Sequence, residues 1–68
     1  MKKKQRRNPG LVIKQLRETF NLTQERFGSR IGISQENVAK LESNKNKPSY
    51  ATFKKIVEEF NLDPRIFF

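Results

Sequence analysis

Four polar side chains able to form hydrogen bonds with base edges lie close together in the middle of the chain: Gln35, Glu36, Asn37 and Lys40. Glutamine and asparagine amides can pair bidentately with adenine, a lysine ammonium can donate to guanine, and a carboxylate can accept from cytosine. A major groove admits an α-helix, so these side chains need a short helix that presents them together.

Residues 23–43 predict that helix and a second one before it. Thr23 can cap a helix over Gln24–Ile31, Gly32 can adopt the left-handed turn, and Ser34 can cap a helix over 35–43. The joint is short enough that the two helices share one buried seam. The apolar residues of that seam are Leu22, Phe27, Ile31, Ile33, Val38 and Leu41. The four polar side chains are left outside it, which predicts a helix-turn-helix unit.

The flanking segments predict three more helices. One opens at Asn8-Pro9, one spans about 50–60, and a last short one opens at Asp63-Pro64. We therefore predict an all-α fold, a compact bundle of five short helices, with a flexible basic arm over 1–8 and the folded domain over 9–68. The phenylalanines at helical spacing are predicted to be core residues rather than a base-stacking platform: Phe27, Phe53, Phe60 and Phe67.

The composition argues against several classes of function. The chain has no cysteine and no histidine, so thiolate or imidazole zinc sites and Ser–His or Cys–His catalysis are ruled out. We predict that the protein is not an enzyme and uses no metal or cofactor. No apolar run approaches the roughly 20 residues of a membrane span, and the basic N-terminus is not followed by the apolar stretch of a signal peptide. The expected location is the cytoplasm, without a membrane partner.

The net charge of +8 is concentrated at the N-terminus. Residues 2–7 contain five basic side chains and no acid: Lys2, Lys3, Lys4, Arg6 and Arg7. Such a segment suits a polyanion, because each neutralised phosphate releases a counterion. The charge alone is equally compatible with a solubilising tail, with RNA or with an anionic membrane surface.

A run of positions across the whole chain resembles one known family. The matching residues are Leu16-Arg17, Leu22-Thr23-Gln24, Gly32-Ile33-Ser34-Gln35, Val38, Leu41-Glu42 and Lys47-Pro48-Ser49, and the apolar positions continue through Phe53, Ile56, Phe60, Leu62 and Phe67. This pattern is similar to the lambda-repressor-like or Cro-like helix-turn-helix family of phage repressors and small bacterial transcriptional regulators. The resemblance implies a sequence-specific binder of double-stranded DNA, a homodimer on its operator and, as the expected activity, repression.

The resemblance also implies roles for particular residues. Those expected to contact bases are Ser34, Gln35, Glu36, Asn37 and Lys40. Those expected to contact the DNA backbone are Gln24, which would also orient Gln35, together with Lys45, Lys47 and the loop amides around Asn44. Arg17 and Glu42 match a family ion pair between the first and third helices, and residues 2–7 resemble the flexible arm of some members.

Some positions depart from the family or leave alternatives open. Gly28 replaces the usual alanine, which costs about 1 kcal/mol of helix propensity, and Asn44 stands where glycine often ends the third helix. Glu36 and Lys40 could instead form an ion pair on a solvated face. The apolar end Ile66, Phe67 and Phe68 suggests a dimer contact, or a surface that a further domain covers. The alternative function is a protein-interaction module, such as an antitoxin bound to its toxin or a coactivator.

Overall fold

Four α-helices follow one another along residues 8–66, the part of the chain that the computed structural model describes. They are α1 (Pro9–Thr19), α2 (Gln24–Ile31), α3 (Gln35–Glu42) and α4 (Tyr50–Phe60). The predicted all-α class is confirmed, and the described residues contain no strand. None of these helices is long and apolar enough to span a membrane. The basic residues of 2–7, together with Phe67 and Phe68, lie outside the described residues.

Each α-helix begins at a polar side chain that accepts a hydrogen bond from the backbone amide three residues later. The predicted caps Asn8, Thr23 and Ser34 all do so, as does Ser49 at the start of α4, each at 3.1 Å. Two of the helices are only eight residues long, and helices of that length are marginal in isolation. Satisfying an otherwise unpaired amide at each start therefore helps to fix where each helix begins.

Left-handed residues reverse the chain after the helices. Gly32, with a φ of 79°, follows α2, and Asn21, Asn44 and Asn61 have φ angles of 57°, 64° and 53°. Glycine and asparagine tolerate this conformation better than other residues, and the left-handed turn predicted at Gly32 is confirmed. The connections stay short, so successive helices must pack against each other.

The core lies where α1, α2, α3 and α4 meet. Its fully or nearly fully buried side chains are Ile13, Phe27, Ile31, Val38, Leu41, Ile56 and Phe60. The rings of Phe27 and Phe60 stack with their centroids 5.3 Å apart, which confirms that both are core residues. Phe53 is only half-buried. Leu22 and Ile33, each directly before a capping residue, pack against this core and complete the predicted seam.

The last predicted helix is a single 3₁₀ turn, Pro64–Ile66. The prediction of five helices was therefore wrong in number, because the described residues contain four α-helices and this turn. Asp63 accounts for the short element: its carboxylate accepts from the Arg65 amide at 2.9 Å, and its carbonyl accepts from the Ile66 amide at 3.1 Å. The Arg65 guanidinium also bonds the carboxylate and lowers the pKa of Asp63.

Two glycines permit contacts between backbones that a side chain would block. A Cβ atom on Gly10 would lie 2.5 Å from the carbonyl oxygen of Glu42 and 2.7 Å from that of Leu41. A Cβ atom on Gly28 would lie 2.4 Å from the carbonyl oxygen of Ile33. The cost in helix propensity expected for Gly28 is thus accompanied by a packing role. At Gly10, the last turn of α3 lies directly against α1. At Gly28, the joint that leads into α3 lies directly against α2.

We expect Gly10→Ala to destabilise the protein although alanine is the better helix former. The propensity gain is about 1 kcal/mol, but the new methyl group would separate α1 from the last turn of α3. Urea unfolding followed by circular dichroism measures the difference. Gln15→Ala is the matched control, because Gln15 lies on the exposed side of the same helix and should be neutral or stabilising. A Gly10→Ala variant as stable as the control would contradict the close contact.

Candidate nucleic-acid interface

The joint between α2 and α3 fixes the direction in which α3 leaves the domain. The Ile33 amide donates to the Gly28 carbonyl at 2.9 Å, so the turn folds back on the end of α2. Ser34 then accepts from the Asn37 amide, and α3 begins at the next residue, Gln35. Because no flexible linker intervenes, the position of α2 in the core determines the position of α3.

The two sides of α3 differ sharply in exposure. Val38 and Leu41 are buried in the core. Four of the predicted base-contacting residues are exposed: Ser34, Gln35, Glu36 and Asn37. The fifth, Lys40, is half-buried. The structure therefore brings the five predicted base-contacting residues together along one short helix. That surface offers amide, hydroxyl, carboxylate and ammonium groups within two turns.

Glu36 and Lys40 are not paired with each other. The ion pairs among the described residues are Arg17–Glu42, Arg30–Glu59 and Asp63–Arg65. The alternative interpretation of positions 36 and 40 as a solvated ion pair is thus not what the structure contains. Both charged groups stay accessible to a partner.

The carboxylate of Glu42, near the end of α3, receives hydrogen bonds from two other helices. Arg17 Nε and Nη2 on α1 donate to its two oxygens at 2.6 and 3.2 Å. Gln24 Nε2 on α2 donates to Oε1 at 3.1 Å. The side chains of Arg17 and Glu42 are only 14 % and 6 % exposed, and the hydrogen bond that Arg17 donates to Glu42 raises the pKa of Arg17. This network fixes the rotation of α3 about its own axis.

Gln24 differs from the prediction in its partner. The family resemblance implied that its side chain would help to orient Gln35, whereas in the structure the side chain donates to Glu42. The cause is proximity to a buried carboxylate that has acceptor capacity left after binding Arg17. A contact between Gln24 and a phosphate stays a prediction.

The loop after α3 places Lys45 and Lys47 in exposed positions. The backbone amides near Asn44, which were predicted to bind phosphates, have partners within the chain. The Asn44 amide donates to the Leu41 carbonyl, and the amides of Lys45 and Asn46 both donate to the Lys40 carbonyl. Phosphate binding here would accordingly depend on the lysine side chains. A cleft lined by Asn37 and Lys47 connects this loop to the exposed face of α3.

Contacts that the sequence did not predict join α1 to the end of α3. The Asn44 side chain bonds both Asn8 and the backbone of Gly10, and Gly10 itself lies against α3. A glycine inside a predicted helix is a signal of close backbone approach. The partner of such a glycine is distant in sequence, however, and only the fold identifies it.

Comparison with known proteins supports the helix-turn-helix arrangement of α2 and α3. The model of the helix-turn-helix family matches residues 13–67 of the chain. This protein belongs to the helix-turn-helix family. The resemblance inferred from the sequence is therefore confirmed.

Two individual proteins illustrate the similarity. An uncharacterized HTH-type transcriptional regulator of Archaeoglobus fulgidus is 41% identical over 49 residues, which cover 72% of this chain and 69% of that protein. The crystal structure of the P22 c2 repressor protein in complex with a synthetic operator superposes with a TM-score of 0.80. That match covers 93% of this chain and 96% of the repressor chain at 16% identity, and so establishes a shared fold.

We expect the Arg17–Glu42 pair to be strongly non-additive. Arg17→Met or Glu42→Leu alone leaves a largely buried charge without its partner and should lower the free energy of unfolding by about 3 kcal/mol. The double variant, which removes both charges, should lose less than either single variant. Urea unfolding of the four proteins gives the coupling energy.

An exposed ion pair provides the control for this cycle. Arg30 and Glu59 bond at 2.7 Å with side chains 44 % and 38 % exposed, so Glu59→Gln should cost less than about 1 kcal/mol. If the Arg17/Glu42 double variant lost the sum of the two single losses, the pair would not act as a unit.

Proposed function

We propose that this helix-turn-helix protein is a sequence-specific, double-stranded DNA-binding transcriptional regulator that acts as a repressor. The observation that carries the proposal is the division of α3 into a buried apolar side and an exposed first turn rich in hydrogen-bonding groups. A major groove accommodates an α-helix, and its base edges present donor and acceptor patterns that such groups can distinguish. The two proteins compared above, an HTH-type transcriptional regulator and a repressor whose structure contains a synthetic operator, support the same assignment.

Base recognition would come from the exposed side of α3. Gln35 and Asn37 can each form two hydrogen bonds with adenine, and Lys40 can donate to guanine. Glu36 can accept from the amino group of cytosine. Since neither Glu36 nor Lys40 is held in an ion pair within the described residues, neither has to break one before it reaches a base.

Contacts with phosphates would fix the position of the protein on DNA. Lys45 and Lys47 are exposed beside the end of α3, where they can neutralise phosphates flanking the groove. The basic residues of 2–7 would add further contacts that do not depend on sequence. These interactions supply affinity, whereas the side chains of α3 supply selectivity.

Two copies of the chain would bind one operator. A dimer can place its two α3 helices in successive major grooves about 34 Å apart on a site with approximate two-fold symmetry. The proposed dimer contact comprises Ile66, which is half-buried, together with Phe67 and Phe68. Occupation of such a site would exclude RNA polymerase sterically, which is the proposed mechanism of repression.

We expect the intact chain to enrich a two-fold-symmetric sequence from a randomised duplex library at near-physiological salt. Gln35→Ala should relax the preference at one base pair of each half-site, with a loss of about 1–3 kcal/mol in discrimination. Sequencing of the bound fraction gives both results. Binding without enrichment of any sequence would refute the specific-regulator proposal and would favour a protein partner such as a toxin.

We expect Lys47→Ala to weaken binding equally for all sequences and to lessen its salt dependence. Loss of one phosphate contact lowers the slope of log K against log salt by about 0.9. Between about 50 and 200 mM salt, the wild-type protein should therefore lose about 3.5-fold more affinity than the variant. Fluorescence anisotropy with one labelled duplex measures both slopes.

Lys54→Ala is the charge-matched control for this experiment. Lys54 lies on α4 in a cleft with Tyr50 and Pro64. The separate cleft next to α3 is lined by Thr52 of α4 but not by Lys54. The control should retain the wild-type slope. Equal changes in the two variants would mean that Lys47 acts only through net charge.

A further inference from the structure

Two asparagines join the beginning of α1 to the end of α3. Asn44 Nδ2 donates to Asn8 Oδ1 at 2.8 Å, and Asn44 Oδ1 accepts from the Gly10 amide at 3.1 Å. Asn8 Oδ1 also accepts from the Leu11 amide, as the cap of α1. We call Asn8, Gly10 and Asn44 the asparagine clasp. The clasp joins Asn44 to Gly10 and Asn8, which precede it in the chain by 34 and 36 positions.

Asparagine at position 44 meets two requirements at once. The backbone there has a φ of 64°, a conformation favoured by glycine and, among residues with side chains, by asparagine. Glycine would satisfy the backbone but could not bond Asn8 or Gly10. Asn61 is an internal comparison, because it adopts a φ of 53° at the end of α4 and its side chain forms no hydrogen bond with the other described residues.

The clasp acts on the segment that carries Lys45 and Lys47. After Asn44, the amides of Lys45 and Asn46 both donate to the Lys40 carbonyl, so the loop wraps around the last turn of α3. Pro48 and the cap Ser49 then lead into α4. The loop is thus bonded to α3 by its backbone, and the Asn44 side chain ties this unit to α1.

We propose that Asn44, through Asn8 and Gly10, is a positioning residue that holds the lysine loop in its phosphate-binding placement before DNA arrives. The inference rests on the proposed DNA-binding function and adds to it a residue that itself need not touch DNA. A lysine held in this placement keeps its phosphate contact in the complex, whereas release of the clasp would let the loop move away from the DNA and lose that contact.

Two substitutions break the clasp while they preserve local structure and net charge. Asn44→Gly keeps the left-handed backbone but removes both side-chain bonds. Asn8→Ser keeps a capping hydroxyl for α1, but its shorter side chain does not extend to Asn44. Asn61→Gly makes the same chemical change at a left-handed asparagine outside the clasp. Circular dichroism at the assay temperature establishes that each variant is folded.

The salt dependence of DNA binding is the decisive readout, because a loss of stability alone does not change it in a folded protein. We expect Asn44→Gly and Asn8→Ser each to reduce the slope of log K against log salt by about one unit. The double variant should resemble Asn44→Gly, since that substitution already removes the bond to Asn8. Asn61→Gly should keep the wild-type slope. Hydrogen exchange of the Gly10 amide should accelerate in Asn44→Gly but not in Asn61→Gly.

The two proposals fail in different ways. The salt series uses the duplex that the wild-type chain selects or, if none is selected, a duplex of random sequence, because phosphate contacts do not depend on sequence. Absence of selection by the wild-type chain refutes the specific regulator. A wild-type slope in both clasp variants, or additive losses in the double variant, overturns the positioning role even if the chain selects an operator.

Discussion

The burial of one carboxylate determines how the third helix sits in this domain. The Glu42 side chain is 6 % exposed, and a charge in such a place is tolerated only with opposite charge and hydrogen bonds around it. Arg17 and Gln24 provide these from α1 and α2, and Arg17 also donates to the Leu22 carbonyl at 2.8 Å. A helix with only two buried apolar residues, Val38 and Leu41, has few apolar contacts to prevent it from rotating or sliding, and these contacts are non-directional. The directional bonds to Glu42 restrict those motions and thereby keep the polar first turn facing outward.

Much of the fold could be predicted from the sequence because local chemistry specifies where each helix begins and ends. Capping side chains at Asn8, Thr23 and Ser34, and left-handed residues at Gly32 and Asn61, depend on neighbours a few positions away. The type of the last, very short element was harder to predict. Its bonds to Asp63 are local, but no periodicity in so short a segment distinguishes a 3₁₀ turn from an α-helix.

The candidate interface shows a contrast between local and distant effects. The exposure of Gln35, Glu36 and Asn37 follows from helical spacing alone, because Val38 and Leu41 occupy the opposite side. The partner of Gln24 did not follow from spacing, since Gln35 and Glu42 both lie on α3, and only the packed structure shows that the Gln24 side chain bonds Glu42. The side-chain bonds of Asn44 depend on the proximity of α1, which the sequence places more than 30 residues away.

The contact at Gly10 also has an entropic consequence. Where side chains mediate helix packing, each must give up rotamers on folding, at a cost of up to about 2 kcal/mol for long ones. Between Gly10 and the carbonyls of Leu41 and Glu42 there is no side chain to immobilise on the α1 side. A displacement at this contact also cannot be absorbed by a change of side-chain rotamer on the α1 side. A movement of the first turn of α1 would therefore be transmitted directly to the last turn of α3, so the two helices should fluctuate together as one rigid unit.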